Sequence, residues 1–396
     1  MNKFGMFIHW GIYAATGQHE QALARYDMPF DEYDSLVESF NPTDYNPEEW
    51  VLLAKNAGMK YICFTTKHHD GFCMWDTKHT DYNVMNTPYG KDVLKMLADA
   101  CQKHGMLLSL YYSNPDWHHE NGYNMRSTHQ WKSRYPEFGD TEKYREYVKK
   151  QLQELLTGYG KIYTLFWDIP PQIEDPSLNA YVRSLQPDIL INDRGWDKGD
   201  FSTPEREVPD GERFSRMTEA CQSVGEQAWG YREDEDYFSV RFLTSSIDKI
   251  MAMGGSYLLN VGPMPNGKIP EKAKNILERV GDWYTRMGGT LEDHDAAPYP
   301  FRARGGIPFI ATQKNGKTYI HLYNGAPSSA FSFEVAPAFL PKSARLVNDG
   351  RTLRVRYGLL PGWGGAQGLA NGPYLSIADI PCDEFENEPL VIELEW

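Results

Sequence analysis

The run Tyr163-Thr164-Leu165-Phe166-Trp167 ends in Asp168 and is followed by Ile169-Pro170-Pro171, so a carboxylate closes a strongly apolar stretch. Burying an unpaired charge there is costly, and the group must be hydrogen-bonded, ion-paired or used chemically. Two roles fit: Asp168 caps the turn that follows, a common duty of Asp at strand ends, or it is a reactive carboxylate. Hydrolysis of a glycosidic bond needs two carboxyl groups, one ionised to attack the anomeric carbon and one protonated to assist the leaving oxygen. Candidates for the second lie within Gly199–Glu207, which contains Glu205, and farther on at Glu212 and Glu219. Spacing does not choose among them, and Glu219 reads equally as a carboxylate on a helix face.

His68-His69-Asp70 and His118-His119-Glu120 raise a metal reading, because metal-dependent barrel hydrolases also gather His and Asp at strand ends. The chain has no HExxH or HxH ligand pair. Adjacent residues on a regular strand point to opposite sides, so at most one of His68 and His69 is expected to face a given pocket. Neutral imidazoles that exchange hydrogen bonds with sugar hydroxyls suit these histidines better. His118 and His119 read as a solvated loop, and neither a metal nor a cofactor is expected.

These groups must be held by a scaffold, and its outline is visible. Short apolar strand candidates at Gly5–His9, Lys60–Thr66, Leu107–Tyr112, Ile162–Trp167, Ile189–Asp193 and Tyr257–Val261 alternate with helical segments at Pro47–Ala57, Val93–Lys103, Thr141–Leu156 and Phe238–Met253. Almost every strand candidate ends in His, Asp, Asn, Tyr or Trp. In a (β/α)8 barrel, also called a TIM barrel, the active site is assembled at the C-terminal strand ends, so these side chains would converge. An open doubly wound sheet would also place ligands there, but the chain has no glycine-rich fingerprint to favour it. After about Gly289 the texture changes to short alternating strands, Phe309–Thr312, Thr318–Leu322, Phe331–Val335 and Leu390–Leu394, as in an antiparallel β-sandwich. The expected division is a catalytic barrel over 1–288 and a C-terminal sandwich over 289–396.

Composition narrows the partners. With a net charge of −14, the chain lacks the basic surplus that phosphate backbones require, so nucleic acid is not expected as a partner. No apolar run reaches the roughly 20 residues needed to cross a bilayer, and the first residues do not read as a signal peptide. Membrane association is therefore not expected, and compartment and oligomeric state stay open. The five Cys are widely spaced with no CxxC pair, which suits buried thiols.

Taken in order, Phe4-Gly5-Met6-Phe7-Ile8-His9-Trp10-Gly11, Lys67-His68-His69-Asp70-Gly71-Phe72, Tyr111-Tyr112-Ser113, Asn192-Asp193-Arg194, Trp229-Gly230-Tyr231 and Gly254–Pro263 resemble the α-L-fucosidases of glycoside hydrolase family 29. The resemblance spans roughly residues 4 to 288. It implies a retaining double displacement on a terminal α-L-fucosyl residue of an oligosaccharide or glycoconjugate. Asp168 matches the family's nucleophile, and Glu205, in Thr203-Pro204-Glu205, matches its acid/base, a position less uniform in the family than the nucleophile. Glu219 is the reserve for that role. By motif, His9, Glu20, His68, His69, Tyr111, Arg194 and Trp229 fall at sugar-binding positions, and Phe7 and Trp229 would wall the C5 methyl group. Glu205 is expected to need a raised pKa, through burial or the charge of Asp168. Two departures stand out: Gln21 where the family commonly has Trp, and Ile169-Pro170-Pro171 after the nucleophile where Gly is frequent. An α-L-galactosidase or related glycosidase, a non-catalytic fucose-binding homologue and a metal-dependent barrel hydrolase are the competing readings.

Overall fold

The computed structural model describes residues 3–122, 129, 131–135, 139–171, 174–298, 302–303, 306–334, 340–359 and 373–396. Seven parallel strands, β1 (Phe4–Ile8), β2 (Tyr61–Lys67), β3 (Leu107–Ser113), β4 (Ile162–Asp168), β5 (Leu190–Ile191), β6 (Glu219–Ser223) and β7 (Ser256–Val261), lie in the order β5-β4-β3-β2-β1-β7-β6. β5 and β6 are the edges, and the extended segment 201–205 fills the gap between them. Asp193 N donates to Phe201 O at 2.9 Å on one side. On the other, Glu219 N donates to Ser202 O at 2.8 Å and Cys221 N to Pro204 O at 3.0 Å. Parallel bridges at Asn192/Phe201, Ser202/Thr218 and Glu205/Cys221 make this segment the eighth stave of a TIM barrel.

The six strand candidates all appear, with shifted ends. The two unforeseen staves lack a sequence signal because neither is an apolar run: the first reads Phe201-Ser202-Thr203-Pro204-Glu205 and β6 reads Glu219-Ala220-Cys221-Gln222-Ser223. Glu219 corrects the helix-face reading: it starts β6, is fully buried, and accepts a hydrogen bond from the Tyr61 hydroxyl inside the barrel. Space there is tight. A Cβ on Gly5 would sit 2.4 Å from the Tyr61 ring, so β1 needs glycine at that point.

Helices α1 (Ala22–Arg25), α2 (Phe30–Ser39), α3 (Pro47–Asn56), α4 (Val93–His104), α5 (Thr141–Gly158), α6 (Pro176–Leu185), α7 (Val240–Ala252) and α8 (Glu271–Leu291) surround or extend the barrel. Side chains start several of them: Asn46, Asp92, Asp140, Asp175 and Ser239 each accept from a backbone N–H of the first turn. Position 288, the expected junction, falls inside the last turn of α8.

Beyond it come β8 (Asp295–Ala296), β9 (Arg302–Ala303), β10 (Ile310–Lys314), β11 (Lys317–Leu322), β12 (Ala330–Glu334), β13 (Ser343–Leu346), β14 (Thr352–Leu359), β15 (Pro373–Ala378) and β16 (Leu390–Glu395), all antiparallel. Val335, at the end of one expected strand, lies outside the described residues. β14 pairs with β13 through Thr352 and Leu353 and with β15 from Arg354 onward, so the sheet folds over into two layers. Ile320, Phe331, Phe333, Leu346, Ile377 and Ile392 fill the space between them. The sandwich meets the barrel at His321 of β11, whose Nδ1 lies 2.9 Å from Asp248 Oδ1 of α7, both fully buried. Among the described residues no helix is long and apolar enough to cross a membrane.

Candidate active site

Asp168 is the last residue of β4, and its neighbours fix it from three sides. Tyr111, at the end of β3, donates its hydroxyl to Asp168 Oδ2 at 2.7 Å. Arg194 Nη1 donates to Asp168 Oδ1 at 3.3 Å, and His69 Nε2 lies 3.8 Å from Oδ2. Burial pushes the Asp168 carboxyl up, but Arg194, His69 and the Tyr111 hydrogen bond together pull it below the usual carboxylate range. Asp168 is thus held ionised at the C-terminal mouth of the barrel.

The backbone around it is equally determined. Asn192 closes on Trp167 in both directions, Nδ2 to the carbonyl at 2.8 Å and Oδ1 from the N–H at 2.9 Å, extending the pairing of the short β5. Asp193 Oδ1 accepts from Thr203 Oγ1 at 3.2 Å. Arg194 grips the same threonine, Nε to Oγ1 at 2.8 Å and Nη2 to its carbonyl at 2.7 Å. With that fork occupied, Nη1 is left for carboxylates, and it touches Glu205 Oε2 at 2.5 Å as well as Asp168. Burial works against the Arg194 charge, but Cys221, Asp168 and Glu205 more than offset it and keep the guanidinium protonated. Because one nitrogen contacts both carboxylates, those oxygens can be no farther apart than the two contacts laid end to end.

Glu205 departs from one expectation: its side chain is 39% exposed rather than buried. Glu219 is not brought to the pocket. It sits one layer deeper, against Tyr61, where burial pushes its carboxyl up to about 7.

His9, Glu20, His68, His69, Tyr111, Arg194 and Trp229 line the same small cavity of about 120 Å³ as Asp168 and Glu205. His68 and His69 both face it, contrary to strand alternation, because β2 ends at Lys67 after a register shift and the two histidines lie on the departing turn. Lys67 points the other way, into a buried ion pair with Asp116 at 3.0 Å. Burial depresses His9, His68 and His69, the last to about 4, so they are neutral near pH 7. The Ser113 hydroxyl donates to the Pro115 carbonyl, so it accepts from His69 Nδ1 at 2.6 Å and leaves Nε2 as an acceptor. His9 Nδ1 likewise faces Asn260 Oδ1 at 2.7 Å. His68 Nδ1 is buried with no partner among the described residues, an open position for a hydroxyl.

Glu20 Oε2 accepts the backbone N–H groups of Trp229 and Gly230, each at 3.0 Å. Burial raises this carboxyl, but His19, His9 and the Gly230 amide lower it further, so it is ionised. Glycine is required at 262, where a Cβ would lie 2.3 Å from the carbonyl carbon of Gly230. Phe7, Phe166 and Trp229 form the apolar side, with Phe7 5.3 Å from Phe166 and 6.2 Å from Trp229 between ring centres.

One wall residue, His129, carries no advance signal, and a second, Ile169, lies in the segment that departs from the family pattern. His129 is a lone histidine between β3 and α5, and no motif marks it. Ile169 adopts φ +60, the left-handed region that the family's frequent glycine takes without cost. For a β-branched residue this conformation costs roughly 1–2 kcal/mol. Asn114 holds it, with Nδ2 donating to the carbonyls of Ile169 at 3.0 Å and Arg194 at 3.2 Å, while its backbone N–H donates to Asp168 O at 3.0 Å. The His118 and His119 loop is packed rather than solvated. His118 stacks on Tyr82 at 3.8 Å and His119 lies 4.2 Å from the Tyr147 ring. Among the described residues no group of three or more His, Cys, Asp or Glu is placed to hold a metal ion.

A family model described as alpha-L-fucosidase matches residues 1–289. The plasma alpha-L-fucosidase of Rattus norvegicus is 26% identical over 319 residues, covering 73% of this chain and 68% of that protein. The tissue alpha-L-fucosidase of Homo sapiens is 25% identical over 326 residues, covering 73% and 67%. Among solved structures, alpha-L-fucosidase isoenzyme 1 from Paenibacillus thiaminolyticus superposes with a TM-score of 0.84 at 31% identity, over 100% of this chain and 96% of that one. An alpha-L-fucosidase from Bacteroides thetaiotaomicron, trapped as a covalent intermediate with 2-fluoro-fucosyl fluoride in a Glu-to-Gln mutant, superposes with a TM-score of 0.80 at 26% identity, over 100% and 94%.

Proposed function

The chain belongs to the α-L-fucosidase family of glycoside hydrolases, and from that premise we propose that it is a retaining, exo-acting α-L-fucosidase with Asp168 as nucleophile and Glu205 as acid/base. The observation that carries the reading is the shared contact of both carboxylates with Arg194 Nη1, which gathers the two acids at one place on the wall of a single cavity. The covalent intermediate trapped in the Bacteroides thetaiotaomicron relative supports the same course.

In the first step an Asp168 oxygen bonds to C1 of the fucoside as the C1–O bond breaks, and the Glu205 proton passes to the departing oxygen. In the second, water adds to C1, its proton returns to Glu205, and the Asp168 carboxylate leaves. Fucose is released with its original configuration. Glu205 must carry a proton before the first step, so Arg194 has to yield it and concentrate on Asp168. The neutral His9, His68 and His69 and the ionised Glu20 would receive sugar hydroxyls. Phe7, Phe166 and Trp229 would face the C5 methyl, favouring a 6-deoxy sugar over L-galactose, whose hydroxymethyl would find no partner there. Burying that methyl contributes about 0.8 kcal/mol.

The test is turnover of an aryl α-L-fucoside by Asp168→Ala and Glu205→Ala variants. The first variant should be inactive and the second rescued by azide, which replaces water in the second displacement and gives α-L-fucosyl azide. Near wild-type activity of Asp168→Ala, or a β-configured fucose as the first product of the wild type, sinks the reading.

A further inference from the structure

On the proposed mechanism the departing group lies beside Glu205, whose side chain is 39% exposed, and the rim of the cavity carries groups that fucose recognition does not use. His129, a wall residue, lies 4.3 Å from Trp131 between ring centres at an interplanar angle of 32°. Trp131 is 51% exposed, an unusual position for an indole. The Arg25 guanidinium lies 5.6 Å from the Trp131 ring centre. Its Nε donates to Oε1 of Gln21, a second wall residue, at 2.8 Å, so the guanidinium's other nitrogens face outward. Asp27, two residues on, is taken by Lys132 at 2.6 Å, and no ion pair joins Arg25 to a carboxylate among the described residues. A second cation stands nearby. Arg206, next to Glu205, lies 4.5 Å from the Trp229 ring centre and is anchored on the carbonyls of Gly225, Glu226 and Ala228.

Two arginine–aromatic pairs thus stand at one rim, in a chain of net charge −14. A flat exposed ring beside a cation with free donors suits a pyranose that carries an anionic group. We propose that this rim is an acceptor site for an anionic leaving-group sugar, which stacks on Trp131 while Arg25 binds its sulfate ester or carboxylate. Arg206 adds positive potential without direct contact. Gln21, where the family commonly has Trp, serves here to orient Arg25. The proposal rests on the α-L-fucosidase reading.

Three α-L-fucosyl disaccharides are compared for kcat/KM: one with a neutral leaving sugar, one with the same sugar sulfated, and one with a uronic acid. α-L-Fucosyl fluoride, which has no leaving sugar, reports the fucose pocket alone. At low salt at least one anionic substrate should exceed the neutral one by about tenfold, the scale of one charge-assisted hydrogen bond. The two anionic arms decide between sulfate and carboxylate. The advantage should shrink as salt is added and vanish in Arg25→Ala, while Trp131→Ala should lower both neutral and anionic disaccharides relative to the fluoride. Equal rates on neutral and anionic disaccharides, or an advantage that survives Arg25→Ala, overturn the acceptor site while fluoride turnover continues. Failure of the wild type on the fluoride as well overturns the fucosidase reading and the acceptor site with it.

Discussion

Arg194 and Glu205 are joined directly, guanidinium Nη1 to carboxylate Oε2, and the same nitrogen reaches Asp168. The arginine therefore contacts both proposed reacting carboxylates at once and sustains the charge of Asp168.

Arg194→Met should lower kcat/KM on an aryl fucoside by about 10²–10³, the cost of losing a preorganised electrostatic contact. It should also move the acid limb of the pH profile upward. The guanidinium is the strongest influence lowering the Asp168 carboxyl, so without it that group protonates at higher pH. An acid limb that stays in place would show that Arg194 does not set the charge of Asp168.

Asn114→Ala removes the amide that holds the Ile169 and Arg194 carbonyls and accepts from Trp196 Nε1 at 3.0 Å. Loss of these buried contacts should destabilise the protein by about 2–3 kcal/mol in urea unfolding. kcat should fall more than KM rises, because the Asp168 turn relaxes before any sugar contact is touched.

Stability should fall as pH rises through neutrality. Burial raises the Glu219 and Asp70 carboxyls to about 7, so the folded protein keeps protons that the unfolded chain has released. Such groups contribute fully below the unfolded pKa and lose that contribution as pH rises through the folded value. The share of Glu219 is on the order of 2–3 kcal/mol. Glu219→Gln should flatten the decline between about pH 5 and 8.5, and urea midpoints at the two ends would reveal an unchanged slope.

His321→Ala would leave Asp248 buried without its partner and should cost about 3–5 kcal/mol. Because the pair joins the sandwich to α7, the calorimetric transition should broaden or split, whereas a single sharp transition at the wild-type temperature would deny the pair any coupling role.

Much of the pocket was legible because its residues end strands whose apolar runs are unmistakable, as with Asp168 after Phe166-Trp167. The stave at 201–205 and β6 were not. A strand that reads Glu219-Ala220-Cys221-Gln222-Ser223 shows no apolar run, and closure of the ring supplies what local pattern withholds. Strand geometry also misled at His68 and His69, because alternation ends with the strand and both side chains turn inward. For His129, Trp131 and Arg25 the position follows from how a loop folds back onto α1, a tertiary outcome that spacing does not encode.

The pairing of the 201–205 segment has an evolutionary consequence. Asp168 stands at the end of a strand laddered on both sides, so relocating it would unravel the barrel wall. Glu205 stands on a stave attached by scattered bridges, which an insertion or deletion in the adjoining loop can reseat at small cost. On the proposed assignment, a changed loop can move the proton donor and retune the departing group while leaving the attacking carboxylate untouched.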